Sequence, residues 1–284
     1  MLPYFKLWII VVVAVLTLGT ASSAWATPLC GISFTSTQGS VLYQVDPQTG
    51  QASDPKPTGL SHVVGIAFGP AGPLYGLTNA TAPTNPNSLV RINRTTGSSQ
   101  LVGPTGLNNI VEGDLSCDRT TGVLYGMYHL TSGERKLFTL NAATGAASTL
   151  PTSLSGDPSA MAFNAAGTLY VIDTSLAKLL TVDKTTGETL SSLSLSRSLG
   201  SVAGMAVDPL SGTFYVADGD SGGTDHLYTL NPLTGLLADI GPTGLPDGLA
   251  GLAFLPEPAS LTLAVLGGAT VALKRQRVTR ASRT

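Results

Sequence analysis

The sequence is poor in charged residues. Asp, Glu, Lys and Arg make up only 11% of its 284 residues, whereas glycine alone contributes 33. Soluble globular domains carry about 25% charged residues on average, and helical cytosolic enzymes follow that pattern. The shortage of charge, together with abundant Gly, Ser, Thr and Asn, predicts an extracellular all-β protein that is rich in turns.

A basic stripe is also missing from the body of the chain. Residues 27–255 contain nine Lys or Arg against sixteen Asp or Glu, which gives this body a net charge of −7. Nucleic-acid binding depends on clustered Lys and Arg. We therefore expect no nucleic-acid partner.

Histidine and the common metal motifs are scarce as well. His62, His129 and His226 occupy non-equivalent positions of the repeat described below, and neither H-E-x-x-H nor H-x-x-E-H occurs. This argues against a zinc protease of those classes, while a site assembled from several repeats stays open. The sequence predicts no catalytic residue and no required cofactor.

The N-terminus has the features of a secretory signal. Lys6 precedes an apolar run at 7–18, and Ala24 and Ala26 supply small residues three positions and one position before a cleavage site. The run is short for a membrane span of about 20 residues. We predict a Sec-type signal peptide at 1–26 that is cleaved after Ala26, with an uncleaved anchor helix as the alternative.

One sequence unit recurs five times along the body. It is an apolar strand followed by Asp or Asn, two variable residues, Thr and Gly, and its closing glycines are Gly50, Gly97, Gly145, Gly187 and Gly235. An Asp or Asn side chain accepts hydrogen bonds from backbone N–H groups in a turn, and glycine adopts the positive φ that leads into the next strand. The unit predicts a hairpin, which makes its Asp and Asn residues poor catalytic candidates.

A second element alternates with the first. It is a strand of small apolar residues, a turn, and a strand that contains a tyrosine: Tyr75, Tyr125, Tyr170 or Tyr215. Four short strands in a unit of about 45 residues are typical of a β-propeller blade. The two elements together predict four complete blades between Val63 and Gly241.

The remaining strands predict how the propeller closes. A single inner strand at 251–254 follows the fourth blade, and three strands near 31–34, 41–45 and before Pro57 precede the first. Joining them gives a fifth blade and removes the exposed edges of an open array. We predict an all-β, five-bladed propeller over 27–255; six blades or a twisted open β-solenoid are the alternatives.

The repeats resemble the NHL-like and WD-like propeller repeats. The Leu-Tyr strands and the D-x-x-T-G turns carry this resemblance, which covers Gly31 to Leu255. It implies a propeller and leaves the function open, because many unrelated activities share that architecture.

The C-terminus contains Pro256, Glu257 and Pro258, an apolar run at 259–273, and a basic cluster with Lys274, Arg275 and Arg277. Fifteen residues form a helix of about 22 Å, which is short for a bilayer core of ~30 Å unless the basic side chains snorkel. We predict a transmembrane helix whose basic end stays in the cytoplasm.

This tail resembles the PEP-CTERM sorting signal of Gram-negative bacteria over 256–284. The resemblance implies that an exosortase recognises Pro256, Glu257 and Pro258 after export by the Sec machinery. It also implies a transient inner-membrane anchor, release to the cell surface or extracellular matrix, and a link to exopolysaccharide or biofilm. A plain membrane anchor is the alternative.

Two further groups of carboxylates are weaker candidates for a functional site. Asp218, Asp220 and Asp225 form the densest cluster of oxygen ligands, but the twelfth-position Glu of a calcium loop is absent, so a polar turn is the preferred interpretation over a Ca²⁺ site. Asp173 and Asp218 end equivalent strands. Glycosidase activity would require carboxylates that face the propeller channel, with one pair about 5–9 Å apart.

The two cysteines, Cys30 and Cys117, are a candidate disulfide because an exported chain permits one. Our assignment places them in blades that are not neighbours, although a disulfide requires Cα atoms less than about 7 Å apart.

Two functions follow from these observations. The first is a non-enzymatic surface or matrix propeller that binds a polysaccharide or another surface protein. The alternative is a secreted propeller hydrolase or lyase that acts on a glycan or a lactone. An enzyme requires Asp, Glu or His side chains that converge at one mouth of the channel, whereas a scaffold is expected to have a channel lined by small and apolar residues.

Overall fold

The computed structural model describes residues 28–34, 39–70, 72–199, 202–219, 225–246 and 248–256. These ranges contain twenty strands and no helix, and therefore no helix long and apolar enough to cross a membrane. The predicted signal segment, its cleavage residues Ala24 and Ala26, and the predicted transmembrane helix lie outside the described residues.

The strands group into five four-stranded antiparallel sheets. The chain first forms β1 (Leu29–Ile32), β2 (Val41–Val45) and β3 (Ala52–Pro57). Blade 1 follows with β4 (Val63–Phe68), β5 (Leu74–Thr78), β6 (Ser88–Ile92) and β7 (Ser99–Pro104). Blade 2 contains β8 (Ile110–Asp118), β9 (Val123–Leu130), β10 (Arg135–Leu140) and β11 (Ala147–Ser153).

The second half of the chain repeats the arrangement. Blade 3 contains β12 (Pro158–Phe163), β13 (Leu169–Asp173), β14 (Lys178–Val182) and β15 (Thr189–Ser194). Blade 4 contains β16 (Val202–Val207), β17 (Phe214–Asp218), β18 (His226–Leu230) and β19 (Leu237–Pro242). The last strand is β20 (Gly251–Phe254).

The fifth sheet, which we call the closing blade, joins the two ends of the described chain. Its strand order is β20-β1-β2-β3, and β1 pairs with β20 so that Leu29 lies opposite Phe254 and Ile32 opposite Gly251. The innermost strands β4, β8, β12, β16 and β20 contact one another in a closed ring. The predicted five-bladed propeller, closed by strands from both termini, is therefore confirmed.

The recurrent hairpins form as the sequence predicts. The N–H of Gly50 donates to the carbonyl of Asp46 at 2.8 Å, and Asp46 Oδ1 accepts from the N–H of Gln48 at 2.8 Å. Equivalent bonds occur in the other four copies, and the five closing glycines have φ between 73° and 84°. These hairpins all join the third and fourth strands of a blade. We call the end of the propeller that carries them the turn face, and the opposite end the loop face.

The core lies between the blades. Each of its five clusters combines buried side chains of two adjacent blades. The repeated tyrosine contributes to this packing: Tyr125 contacts Phe163 of the next blade with ring centroids 5.0 Å apart, and Tyr215 contacts Phe254 at 5.2 Å. The Leu-Tyr element is therefore conserved between repeats as an interblade contact.

We expect Phe254→Ala to lower the free energy of unfolding by about 3–5 kcal/mol, because it removes a buried aromatic side chain from the closing strand. Phe254 is 4% exposed, whereas Leu233, the matched control, is 84% exposed. Leu233→Ala should change stability by no more than about 0.5 kcal/mol. Urea denaturation of the full chain measures both, and equal losses would contradict the importance of closure by β20.

Candidate functional site: the propeller axis and the loop face

Five equivalent positions of the innermost strands meet at the axis: Gly65, Asp114, Ala160, Gly204 and Gly251. A Cβ atom on Gly65 would lie 2.6 Å from the Cα of Asp114, and one on Gly204 would lie 2.7 Å from the Cα of Gly251. Backbone atoms cannot yield at such distances, so the close approach of the strands requires glycine here. Asp114 supplies the single polar side chain among these five residues.

Asp114 is fully buried and ties three blades together. Its Oδ1 accepts from its neighbour, the Leu115 N–H, at 2.8 Å, and its Oδ2 accepts from the Met161 N–H of blade 3 at 2.8 Å. Burial raises the pKa of this carboxyl well above its usual value, although backbone bonds from Met161, Leu115 and Met205 of blade 4 act in the opposite direction.

A small cavity opens beside the axis toward the turn face. Its volume is about 40 Å³, and a ring of small residues lines it: Ala67, Ser116, Ala162, Ala206 and Ala253. Arg119 lies at the rim and donates to the carbonyl of Phe254 at 3.1 Å, and burial lowers the pKa of its guanidinium. The residues that line this cavity include no Asp, Glu or His.

Asp173 and Asp218 both stabilise loops at the loop face. Asp173 is fully buried, and its Oδ1 accepts from the N–H groups of Asp157 and Leu176, each at 3.1 Å. Asp218 accepts from the N–H of His226 and from the hydroxyl of Tyr228. Burial, together with the nearby Asp218 carboxylate, raises the pKa of Tyr228 to about 12. The equivalent placement of the two carboxylates is therefore explained by the loops that follow their strands.

Of the candidate Ca²⁺ residues, Asp218 is the last residue of β17 and Asp225 immediately precedes β18. Asp225 is 1% exposed and accepts from the hydroxyl of Thr243, while Asp220 lies outside the described residues. A Ca²⁺ site at Asp218, Asp220 and Asp225 stays a prediction. The same segment reads Gly-Asp-Ser-Gly-Gly at 219–223, a G-x-S-x-G spacing. It connects two strands of a hairpin, however, and a nucleophile elbow connects a strand to a helix.

The candidate disulfide is not formed. Cys30 and Cys117 are free thiols, one in the closing blade and the other in blade 2, with blade 1 between them. The two side chains pack in different core clusters. Burial raises the pKa of each thiol to about 11, so both remain protonated at neutral pH.

The three histidines have different surroundings. His62 precedes β4 and stacks on Phe34 with centroids 5.0 Å apart, while the Nδ1 atom of His226 in β18 lies 2.9 Å from Asp239. His129 in β9 lies between two carboxylates, Glu112 of β8 and Asp157 in front of β12. Sequence reasoning missed this last group, although β8 and β9 exceed their counterparts in blade 1 by three residues each.

The residues of the sorting motif lie at the limit of the described chain. Pro256 follows β20 and is partly buried. Glu257 and Pro258, and the basic residues Lys274, Arg275 and Arg277, lie outside the described residues, so their role stays a prediction.

The raised pKa of Asp114 predicts a pH dependence of stability. Because the folded state holds this proton more tightly than the unfolded chain, whose Asp pKa is about 4, the stabilising contribution is complete below about pH 4 and is lost as the pH rises through the folded pKa. Asp114→Asn cannot ionise. Relative to this variant, the free energy of unfolding of the wild type should fall as the pH rises. Urea denaturation from pH 4 to 8 tests this, and a constant difference would contradict it.

Comparisons with solved structures agree with the fold. A protein of unknown function from Bacteroides caccae is 13% identical, with a TM-score of 0.50 over 81% of this chain and 100% of its own. A chain of a nidogen/laminin complex is 12% identical, with a TM-score of 0.51 over 81% and 98%. At these identities, likeness concerns the fold alone.

The sequence matches no protein of curated function. A family model does match: the repeat of unknown function DUF6923 aligns with residues 115–271, which is more than half of the chain. The aligned stretch covers most of blade 2, all of blades 3 and 4, and β20. This chain is therefore a member of the DUF6923 repeat family.

Proposed function

We propose that the protein is an exported cell-surface or matrix propeller without enzymatic activity, and that its loop face binds a polysaccharide or another surface protein. The observation that carries this proposal is the meeting of both ends of the body on the turn face. The N–H of Leu255 donates to the carbonyl of Pro28 at 3.1 Å, and β1 and β20 are paired along their whole length.

This arrangement distinguishes the two faces of the propeller, because both terminal segments join the same face. The segment at 1–26 joins the turn face through Pro28, and the segment at 257–284 joins it through Pro256. Before these segments are removed, a membrane attachment through either of them would hold the turn face toward the bilayer. The loop face would then point outward, with the connections between blades available to a ligand.

Two features of the axis favour binding over catalysis. The closely approaching inner strands and the Asp114 side chain fill the centre, and the cavity beside it has a volume of about 40 Å³. Pockets that enclose a small-molecule ligand have volumes of roughly 300–1,000 Å³. The carboxylates Asp173 and Asp218, which a glycosidase would need to direct at a substrate, are engaged by their own loops.

The proposed route follows from the terminal sequences. The Sec machinery would export the chain of a Gram-negative bacterium, and an exosortase would recognise Pro256, Glu257 and Pro258 while the apolar tail is anchored in the inner membrane. Pro256 comes two residues after the last residue of β20. The motif therefore becomes accessible to an enzyme if sorting precedes closure of the propeller, or if the end of β20 frays.

Processing of the tail is directly measurable. In protein recovered from the surface or matrix of the native host, mass spectrometry should find no peptide that spans residues 257–275, whereas peptides of blade 4 should be abundant. Recovery of the intact tail from this fraction would show a permanent anchor and contradict exosortase processing. The cell membrane fraction, which holds the unprocessed precursor, is the control.

Binding at the loop face can be tested with single labelled cysteines. Leu176 lies on the loop face and is 54% exposed, while Leu233 lies on the turn face and is 84% exposed. The native thiols are buried and have raised pKa values, so a bulky maleimide polymer should label Leu176→Cys or Leu233→Cys selectively.

In a panel of bacterial polysaccharides and envelope proteins, the unlabelled protein should bind at least one ligand without turnover. The polymer at position 176 should weaken this binding, and the polymer at position 233 should leave it unchanged. Turnover of any glycan or lactone by the wild type would contradict the absence of enzymatic activity. Inhibition by the turn-face polymer alone would contradict the proposed orientation.

A further inference from the structure

We propose that Glu112, His129 and Asp157 form a binding site for a divalent transition metal of the Zn²⁺ class on the loop face, between blades 2 and 3. The Nδ1 atom of His129 lies 3.9 Å from Glu112 Oε2 and 3.8 Å from Asp157 Oδ1. All three ligand atoms lie within 4.8 Å of one another. This site is independent of the export and display function proposed above.

The distances fit a shared cation better than direct contact. Hydrogen bonds of an imidazole nitrogen to a carboxylate span about 2.7–3.2 Å, so 3.8 and 3.9 Å are too long. Zinc bonds to nitrogen or oxygen are about 2.0–2.2 Å long and zinc sites are tetrahedral, so two ligands of one ion lie roughly 3.3–3.6 Å apart. The two distances from His129 exceed this separation by about 0.2–0.6 Å. The Glu112 side chain, which is 60% exposed, is free to complete the geometry by rotation.

Unsatisfied polar atoms around the cluster are a second, independent observation. The Nδ1 of His129, the Nε of Arg135 and the Oδ2 of Asp173 are buried and have no hydrogen-bond partner among the described residues. Arg135 contacts Asp157 Oδ1 at 3.3 Å, and Asp173 accepts from the N–H of Asp157. Buried polar atoms are nearly always paired. The unpaired Nδ1 of His129 and Oδ2 of Asp173 are atoms that a cation satisfies, whereas the Nε of Arg135 is a donor that a cation does not satisfy.

The local charge also favours a cation. Glu112, Asp157 and Asp173 carry three negative charges, and Arg135 is the positively charged side chain in contact with them. These four side chains have a formal net charge of −2. Asp173 is fully buried, and its Oδ2 faces the backbone of Gly156, immediately before Asp157. A divalent cation would neutralise this excess of negative charge.

Strand pairing and hydrogen bonds position the elements that carry the ligands. Glu112 and His129 are directly opposite each other in the paired strands β8 and β9, so the two side chains project from the same place on the sheet. Asp157 is fixed by its bond to Asp173, and its carbonyl accepts from the N–H of Thr174 at 3.0 Å. Ligands on paired strands, with hydrogen bonds behind them, are typical of preorganised metal sites.

One imidazole and two carboxylates select for the class of metal. Zinc accepts this mixed set, whereas calcium prefers six to eight oxygen ligands. The proposed site therefore differs in chemistry and in place from the candidate Ca²⁺ loop at Asp218, Asp220 and Asp225.

The test is calorimetric titration of the full chain, freed of metal by a chelator, with Zn²⁺. We expect one Zn²⁺ per chain at this site. Glu112→Gln should weaken binding at least about tenfold, since loss of even an outer-shell partner costs 10–100-fold. Glu112 is exposed, so this variant should retain the wild-type fold, and circular dichroism verifies it. His129→Gln should abolish binding at the site.

His226→Gln is the matched control, because His226 also lies beside a carboxylate on a strand, but with a bond of 2.9 Å to Asp239 already made. It should leave Zn²⁺ binding unchanged. A wild type that is folded but binds no Zn²⁺ stoichiometrically would overturn the proposal. Binding that survives both Glu112→Gln and His129→Gln, or that His226→Gln reduces equally, would overturn it as well.

Discussion

The close approach of five strands at the axis constrains the rest of this molecule. Where Gly65 and Gly204 face their neighbours, the strands leave no room for a Cβ atom, and the carboxyl of Asp114 fills the space that remains. Its bonds to backbone N–H groups link blade 2 to blade 3 at the centre. Among the described residues, the same packing leaves only the cavity of about 40 Å³ beside the axis.

Two buried carboxylates of β8 have pKa values that are shifted in opposite directions. Asp114 has backbone partners alone, and its burial makes ionisation costly. Burial also acts to raise the pKa of Asp118, but hydrogen bonds from Lys184, Thr120 and Thr121 outweigh it and lower the pKa to about 2. Lys184 belongs to the hairpin of blade 3, so this ion pair links neighbouring blades at the turn face as Asp114 links them at the axis.

The architecture was predictable because its signals are local. Each D/N-x-x-T-G unit encodes its own hairpin, and five copies at regular spacing are sufficient to count the blades. The position of Asp114 at the axis was not predictable, since the sequence shows only a polar residue within an inner strand. The Glu112, His129 and Asp157 group was missed for a related reason: it crosses a blade boundary, so no fixed spacing within one repeat reveals it. Asp173 and Asp218 were correctly recognised as equivalent. Residues at equivalent positions of a repeat can share a structural role in a loop rather than a chemical role in a site.

Closure by the first and last strands has a consequence for how the protein folds during its synthesis. Leu29 and Phe254 are partners although 225 positions separate them in the chain. Such a distant pairing forms slowly, because the conformational entropy of the intervening chain is lost before the contacts that compensate for this loss have formed. Until β20 has been synthesised and has paired with it, β1 presents an unpaired edge that is open to pairing with another chain. Pairing with β20, the last strand of the body, thus protects the edge of β1, the first strand.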